Sequence, residues 1–362
     1  MYVVTNRIVD ESKTGEVEAF GKTPAEGPNN LRLVEVTRKG QKRHIHVLPD
    51  VITPDMADSV GLPPDGNYFA SEYVARRLLE RCAGRPAGAR SSTKGKNILL
   101  FVHGFNNDMT AVLDRAEQLE TQYGVEVVCF SWPANGGGLH GVLSYRNDKR
   151  DAAASIGALD RVLEKMELLL HAFHDLFVAD LEARAEKKFA DDAEAWDRYF
   201  AQAVRKRCPF TINLMLHSMG NYLFKRLLTS SIYSADHLLF DNVVMVAADT
   251  NNEGHADWVD NIQSRGRVYI TINERDSALK ASRLKMGELQ KARLGHYGRK
   301  LDSRVATYVD FTGQPHVGDS HAYFEGGALA NKKVEAFFNA VLNGEIWDKP
   351  SRFDPARNIF RL

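Results

Sequence analysis

Apolar positions along the chain fall into two kinds of run. From about residue 97 onward, short segments are apolar at nearly every position: Asn97–Val102, Val125–Phe130, Phe210–Leu216, Asn242–Ala248, Arg267–Ile272 and Val305–Val309. A run without polar alternates has no solvent face, which fits a central parallel strand covered by helices on both sides. Between these runs apolar residues recur at helical spacing, over Thr110–Tyr123, Ala152–Leu176, Tyr222–Leu228 and Lys332–Leu342. Alternation of this kind predicts an α/β fold with a doubly wound, mostly parallel sheet and right-handed crossovers.

The first 95 residues read differently. Tyr2–Thr5 and Arg32–Thr37 are β-prone, Arg43–Leu48 alternates polar and apolar residues, and Phe69–Cys82 has helical spacing. Gly61, Pro63, Pro64 and Gly66 mark a loop between Ala57 and Asn67. The pattern predicts N-terminal strands and loops over 1–95, packed on or extending the main sheet. A linker over 83–96, a core over 96–345 and a C-terminal tail over 346–362 complete the division. Between the strands ending at Phe130 and beginning at Phe210 lies far more chain than the roughly 30 residues of a βαβ unit. Asp151–Arg184 and Asp191–Arg207 read as two amphipathic helices, so a helical insertion is expected at about 155–207.

Composition narrows the function classes. Lys plus Arg and Asp plus Glu both number 47, so no basic excess recommends a nucleic-acid or polybasic membrane-surface protein. Three scattered cysteines, Cys82, Cys129 and Cys208, form no CxxC pair and suit a reducing compartment. The start, Met1–Arg7, lacks the charge and apolar run of a signal peptide, and no apolar stretch is long enough to span a bilayer. A soluble, cytoplasmic protein is expected.

The chemistry concentrates at strand ends. Leu216-His-Ser-Met-Gly-Asn221 follows one buried-type strand and precedes a helical segment, the context of a nucleophile elbow with Ser218 at its apex. Gly220 supplies a small residue where strand and helix crowd, whereas Leu216 stands where the GxSxG pattern has its first glycine. The competing reading is an ordinary connection with Ser218 as a helix N-cap. Val102-His-Gly-Phe-Asn106 ends an earlier strand and could hold an oxyanion donor, the amide of Phe105, opposite the amide of Met219. His103, Asn106, Trp132 and His217 are expected around the substrate. Chain order then requires an acid and a base after Ser218. Asp276, after the second strand beyond the elbow, is the first choice of acid, with Asp249 in reserve; either could instead be an N-cap. His321 is the first choice of base, with His316 in reserve.

With these residues in place, the chain resembles a family of mostly uncharacterised bacterial α/β-hydrolases. The resemblance rests on Thr5-Asn-Arg7, His103-Gly-Phe-Asn106, Ser131-Trp-Pro133 and His217-Ser-Met-Gly-Asn221. Tyr145-Arg-Asn-Asp148, the stretch Asp276–Ser282 and Ser320-His-Ala-Tyr323 add to it. It implies an α/β-hydrolase fold and a Ser218–Asp276–His321 triad, and no defined substrate.

The expected function is hydrolysis of an ester or related acyl bond through a Ser218 acyl-enzyme, with a small-molecule or lipid-like acyl substrate, no cofactor and no metal. The helical insertion would form a cap or a protein-binding face. A non-catalytic binding protein on the same fold, and an acyltransferase, are the alternatives. Weaker signals favour structural roles: His44 with His46 lacks a third metal ligand, His171 with His174 are simply helix neighbours, and Gly254–Trp258 reads as a turn. Gly136-Gly-Gly138 lacks the ending of a phosphate loop.

Overall fold

The computed structural model describes residues 1–13, 15–40, 42–82, 97–134, 141–205, 210–233, 238–283 and 291–362. The 83–96 linker and the Gly136–Gly138 run lie outside the described residues.

The central strands form where the apolar runs predict them: β6 (Ile98–Val102), β7 (Glu126–Ser131), β8 (Ile212–His217), β9 (Val243–Val246), β10 (Val268–Ile272) and β11 (Ala306–Asp310). N-terminal strands β1 (Tyr2–Thr5), β4 (Arg32–Lys39) and β5 (Lys42–Val47) join the same 11-stranded sheet. Its order is β12-β13-β11-β10-β9-β8-β6-β7-β1-β4-β5. The residues read as a tail carry β12 (Phe353–Asp354) and β13 (Ile359–Arg361), and β13 pairs in parallel with β11 at the far edge. Two and three residues are too few to show a period, which is why the pattern did not reveal them. A separate ribbon pairs β2 (Arg7–Val9) with β3 (Phe20–Pro24).

Both faces of the sheet are covered. Leu100, Val102, Leu214, Leu216 and Met245 point into one apolar layer with helices α2 (Ala70–Cys82), α5 (Ile156–Phe189) and α7 (Met219–Leu228). Leu99, Phe101, Met215, Val244 and Val246 point into the other, with α3 (Met109–Tyr123) and α10 (Lys332–Leu342). Neighbouring positions thus alternate between two buried layers, which is the physical content of a run with no polar alternate. Asp108 caps α3, its side chain accepting from the Ala111 amide, and Gly124 ends it in the left-handed conformation. A short helix, α1 (Pro54–Asp58), ends in the turn-rich stretch before α2.

The region after β7 starts with α4 (Gly141–Ala154), which the sequence pattern did not separate from α5. Ser155 divides the two helices, and its hydroxyl accepts from Asn6 Nδ2. The insertion expected as a cap begins as a face helix. Ala158, Leu159, Val162 and Leu163 of α5 are buried, and α5 packs against α2 and α7. Helix α6 (Ala193–Arg205) folds back along α5, where Phe189 meets Tyr199 and Trp196 stacks on Phe200. Among the described residues no helix is long and apolar enough to cross a membrane.

Leaving β6, the chain goes first to β7 on one side and later to β8 on the other. Such a reversal opens a crevice at the carboxyl ends of the strands, where ligands bind in open α/β sheets. The loop after β6 and the turn after β8 face each other there.

Candidate active site

Ser218 sits between β8 and α7 at φ 53°, ψ −119°. A non-glycine residue held in such a conformation costs on the order of 1–3 kcal/mol and persists only when its surroundings enforce it. Here they do. The Ser218 amide donates to Val246 O at 3.0 Å, and its carbonyl accepts from the Asp249 amide at 3.2 Å. Asn221 Nδ2, fully buried, donates to Leu216 O at 3.0 Å and Ser218 O at 3.1 Å. The Ser218 hydroxyl makes no capping bond to α7. The N-cap reading of this serine therefore does not hold.

Two glycines allow the turn to close. A Cβ on Gly220 would stand 2.6 Å from Val102 O, and one on Gly104 would stand 2.6 Å from Ser218 Cβ. Leu216 meets no such crowding: it lies in register with Val102 and Met245 and fills the apolar layer beneath α7. The departure from the GxSxG pattern is thus accommodated, because close approach falls on Gly104 and Gly220 instead.

The loop after β6 is wired from both sides. Asn107 Nδ2 donates to Gly104 O at 3.1 Å and Phe105 O at 2.7 Å. Its Oδ1 accepts from Arg115 Nη1 at 3.1 Å, and Arg115 grips Glu325 through both Nε and Nη2. On the other side lies Arg7, almost fully buried. It donates to Asn107 O at 2.9 Å, Trp132 O at 2.8 Å, Ser131 Oγ at 3.1 Å and Gly21 O at 3.2 Å. Burial pulls the Arg7 guanidinium down to about 10, still fully charged at neutral pH. Phe105 is half-buried, Asn106 is exposed at φ 59°, and the Met219 amide has no acceptor among the described residues.

His103 and Trp132 lie beneath this loop rather than on its surface. Both are fully buried and stack with centroids 5.4 Å apart, and Trp132 Nε1 donates to His103 O at 3.0 Å. His103 Nδ1 meets Gly104 O at 2.9 Å, which assigns the proton to Nδ1 and leaves Nε2 without a partner. Burial, reinforced by the Arg7 charge, pushes His103 down to about 3, so the ring is neutral. Neither residue presents surface to a ligand here; together they shape the floor of the loop.

Asp276 and His321 meet on the opposite side of the elbow. Asp276 follows β10 and is fully buried. Its Oδ1 accepts from the Leu279 amide at 2.9 Å, capping α9 (Ser277–Arg283), while Oδ2 accepts from His321 Nδ1 at 2.8 Å. The cap and the acid–base contact coexist on one carboxylate. The loop carrying His321 is fixed by Asn273 Nδ2, which donates to Gly318 O and Ser320 O, each at 3.2 Å. Buried Tyr323 joins it to Thr271 Oγ1 at 2.6 Å. His217 Nε2 donates to His321 O at 3.2 Å, with the two rings 4.8 Å apart. Burial, and after it the neighbouring His321, hold His217 well below the ordinary histidine range. His321 therefore rests over the residue next to Ser218. No hydrogen bond joins the Ser218 hydroxyl to His321 in this conformation, and such contacts are commonly loose before substrate binds.

The reserve residues are occupied elsewhere. Asp249 Oδ1 accepts from Ser282 Oγ at 2.8 Å and pairs with buried Arg293 Nε at 2.9 Å. His316 is exposed at φ 66°. His255, in the turn before α8 (Ala256–Val259), is buried between Asn252 O and the Tyr308 hydroxyl.

The model of a family described as alpha/beta hydrolase of unknown function (DUF900) matches residues 88–169 and 184–324, more than half of the chain. The chain belongs to this family. No curated protein and no solved structure matched it. Membership in an α/β-hydrolase family suggests a hydrolytic enzyme. The matched stretches hold Gly104, Ser218, Asp276 and His321, and omit 170–183 in the middle of α5. Arg7 lies outside the match yet hydrogen-bonds loops within it.

Sequence reasoning missed Asn107, Arg115, Asn273 and Arg293. Asn107 directly follows the His-Gly-Phe-Asn motif, a signal that could have been used. Arg115 and Arg293 carry none, because their partners Glu325 and Asp249 lie far along the chain.

Proposed function

We propose that this α/β hydrolase is a serine hydrolase that cleaves an ester or related acyl bond through an acyl-enzyme on Ser218. The observation that carries the reading is the Ser218 backbone. It is strained and held from several directions, and its hydroxyl is not spent on capping the helix it begins. Strain maintained at such cost is a mark of functional sites. The Asp276–His321 contact at 2.8 Å supports the same reading, and it favours Asp276 over the ion-paired Asp249 as the acid.

In the reaction, Ser218 Oγ attacks the acyl carbonyl and its proton passes to His321 Nε2. The carbonyl oxygen becomes an oxyanion facing the amides of Met219 and Phe105. Collapse breaks the bond to the leaving group, which departs with the proton from His321. Water then attacks the acyl-enzyme, giving its proton to His321, and His321 passes it to Ser218 Oγ as the ester bond breaks and the acid leaves. Asp276, accepting from Nδ1, keeps the proton-accepting Nε2 free throughout. Exposed Asn106 is the residue of the loop best placed to meet substrate. The acyl substrate is a small molecule, and the site needs no metal for these steps.

A fluorophosphonate probe tests the proposal. Wild type should label, and Ser218→Ala, shown to be folded by circular dichroism, should not. Absence of labelling on folded wild type would overturn the proposal in favour of a binding protein. A panel of acyl esters, run with and without an alcohol acceptor, separates hydrolysis from acyl transfer by the product formed.

A further inference from the structure

An amide on the loop after β6 stabilises an oxyanion only if its peptide plane is held in one orientation. In a trans peptide the C=O and the N–H point opposite ways, so whatever fixes the Gly104 oxygen also aims the Phe105 N–H. Two donors fix that oxygen: Asn107 Nδ2 at 3.1 Å and His103 Nδ1 at 2.9 Å. Asn107 Nδ2 also donates to Phe105 O at 2.7 Å. The peptides on both sides of Phe105 are therefore held with their oxygens toward Asn107 and their N–H groups turned away from it. Gly104 itself lies against the nucleophile, since a Cβ built there would stand 3.2 Å from Ser218 Oγ.

The Asn107 side chain is in turn oriented from outside its loop. Arg115 carries only donors, so the atom that its Nη1 meets at 3.1 Å is Oδ1, and Nδ2 is left to face the carbonyls. Arg115 also grips Glu325, further along the segment that carries His321. Its guanidinium lies 5.7 Å from the ring centroid of Phe324, and the Phe324 ring lies 5.1 Å from that of His217. The segment of the base and the loop of the oxyanion donor are thus joined through one arginine and one amide side chain. Asn107 is buried, and both polar atoms of its side chain already have protein partners, so it acts on the loop and not on the substrate.

Taking Ser218 as the nucleophile of a serine hydrolase, on which reading this rests, we infer that Asn107 is the positioning residue of the oxyanion site. Its side chain, oriented by Arg115, aims the Phe105 amide at the oxygen that becomes negative.

Saturation kinetics with a fluorophosphonate test the inference, because the phosphoryl oxygen of the probe takes the place of the oxyanion. Asn107→Asp keeps the shape of the side chain and an acceptor for Arg115, but donates to neither carbonyl. Its limiting rate of labelling should fall on the order of 10²-fold, as when an oxyanion donor is lost. The half-saturating probe concentration should stay close to that of wild type, since the interaction lost is made in the transition state. The phosphorus NMR resonance of the phosphonyl-Ser218 adduct, which reads hydrogen bonds to the same oxygen, should shift between wild type and variant. Asn107→Ala serves both measurements if Asn107→Asp does not fold. A folded variant with the wild-type limiting rate, or with an unshifted resonance, would overturn the role of Asn107 and leave the serine-hydrolase reading standing. So would a loss confined to the half-saturating concentration. No labelling of folded wild type would overturn both.

Discussion

Two neighbouring strands of the sheet end in buried aspartates that do different things. After β9, Asp249 is clamped by Ser282 and paired with Arg293, and its backbone amide supports the Ser218 carbonyl. After β10, Asp276 caps α9 with one oxygen and receives His321 Nδ1 on the other. Both carboxylates are satisfied; what differs is the cation or ring that reaches them. Arg293 arrives from one loop and His321 from another. The stretch Asp276–Ser282 serves both edges, since its first residue holds His321 and its last holds Asp249. One aspartate is thus a structural ion-pair partner, and the other orients a titratable ring beside the elbow.

The strongest test of this contrast exchanges each aspartate for its amide. Asp276→Asn keeps an acceptor for the Leu279 amide but disturbs the His321 tautomer, so the rate of fluorophosphonate labelling should fall on the order of 10⁴-fold. Asp249→Asn, measured on folded protein, should stay within about tenfold of wild type. Equal losses in the two variants would erase the distinction.

Stability should rank the two edges the other way. Arg293→Ala takes the guanidinium away from the buried Asp249 carboxylate, an expected loss of about 3–5 kcal/mol in urea unfolding. His321→Ala removes a ring that is 24% exposed from a carboxylate that keeps its cap, and should cost clearly less.

The other side of the elbow extends the comparison to pH. His103 is neutral when folded because burial pushes it from 6.5 down to about 3. Between those values the unfolded chain binds a proton that the folded chain does not, so stability falls as pH drops through that window. At full effect the slope is up to about 1.4 kcal/mol per pH unit for this one ring. His217, shifted in the same direction, adds to the loss. Urea midpoints measured from pH 7 to pH 4 should fall, and the fall should be shallower in His103→Gln.

The smallest expected effect isolates strain at the elbow. Ser218→Ala and Ser218→Gly both lack the hydroxyl, but only glycine adopts φ 53° without steric cost. Against this, glycine gains more freedom in the unfolded chain. The glycine variant should be the more stable by about 1 kcal/mol. A more stable alanine variant would mean that the strain is smaller than the freedom glycine gains in the unfolded chain.

Local pattern made the central strands legible because each is long enough to be apolar on both faces. It also made the loop after β6 and the elbow after β8 legible, because motif and strand end coincide. It did not separate α4 from α5, since the break at Ser155 interrupts no periodicity. Nor did it show β12 and β13, or that the insertion begins along the sheet face. The arginines around the site were illegible for another reason. Arg7 reaches Asn107 and Trp132, and Arg115 reaches Glu325, across long stretches of chain. For Arg7 the Thr-Asn-Arg resemblance flagged the residue without saying what it does.

The sequence by itself determined the central strands, the crevice side and the chain order of Ser218, Asp276 and His321, because strand burial and chain order are local properties. Only the tertiary structure decided which aspartate meets His321, why Leu216 is tolerated, and that His103 and Trp132 lie under the loop. Each of those outcomes depends on which distant group arrives within hydrogen-bonding or van der Waals distance. No spacing along the chain encodes that arrival; the packing of the layers sets it.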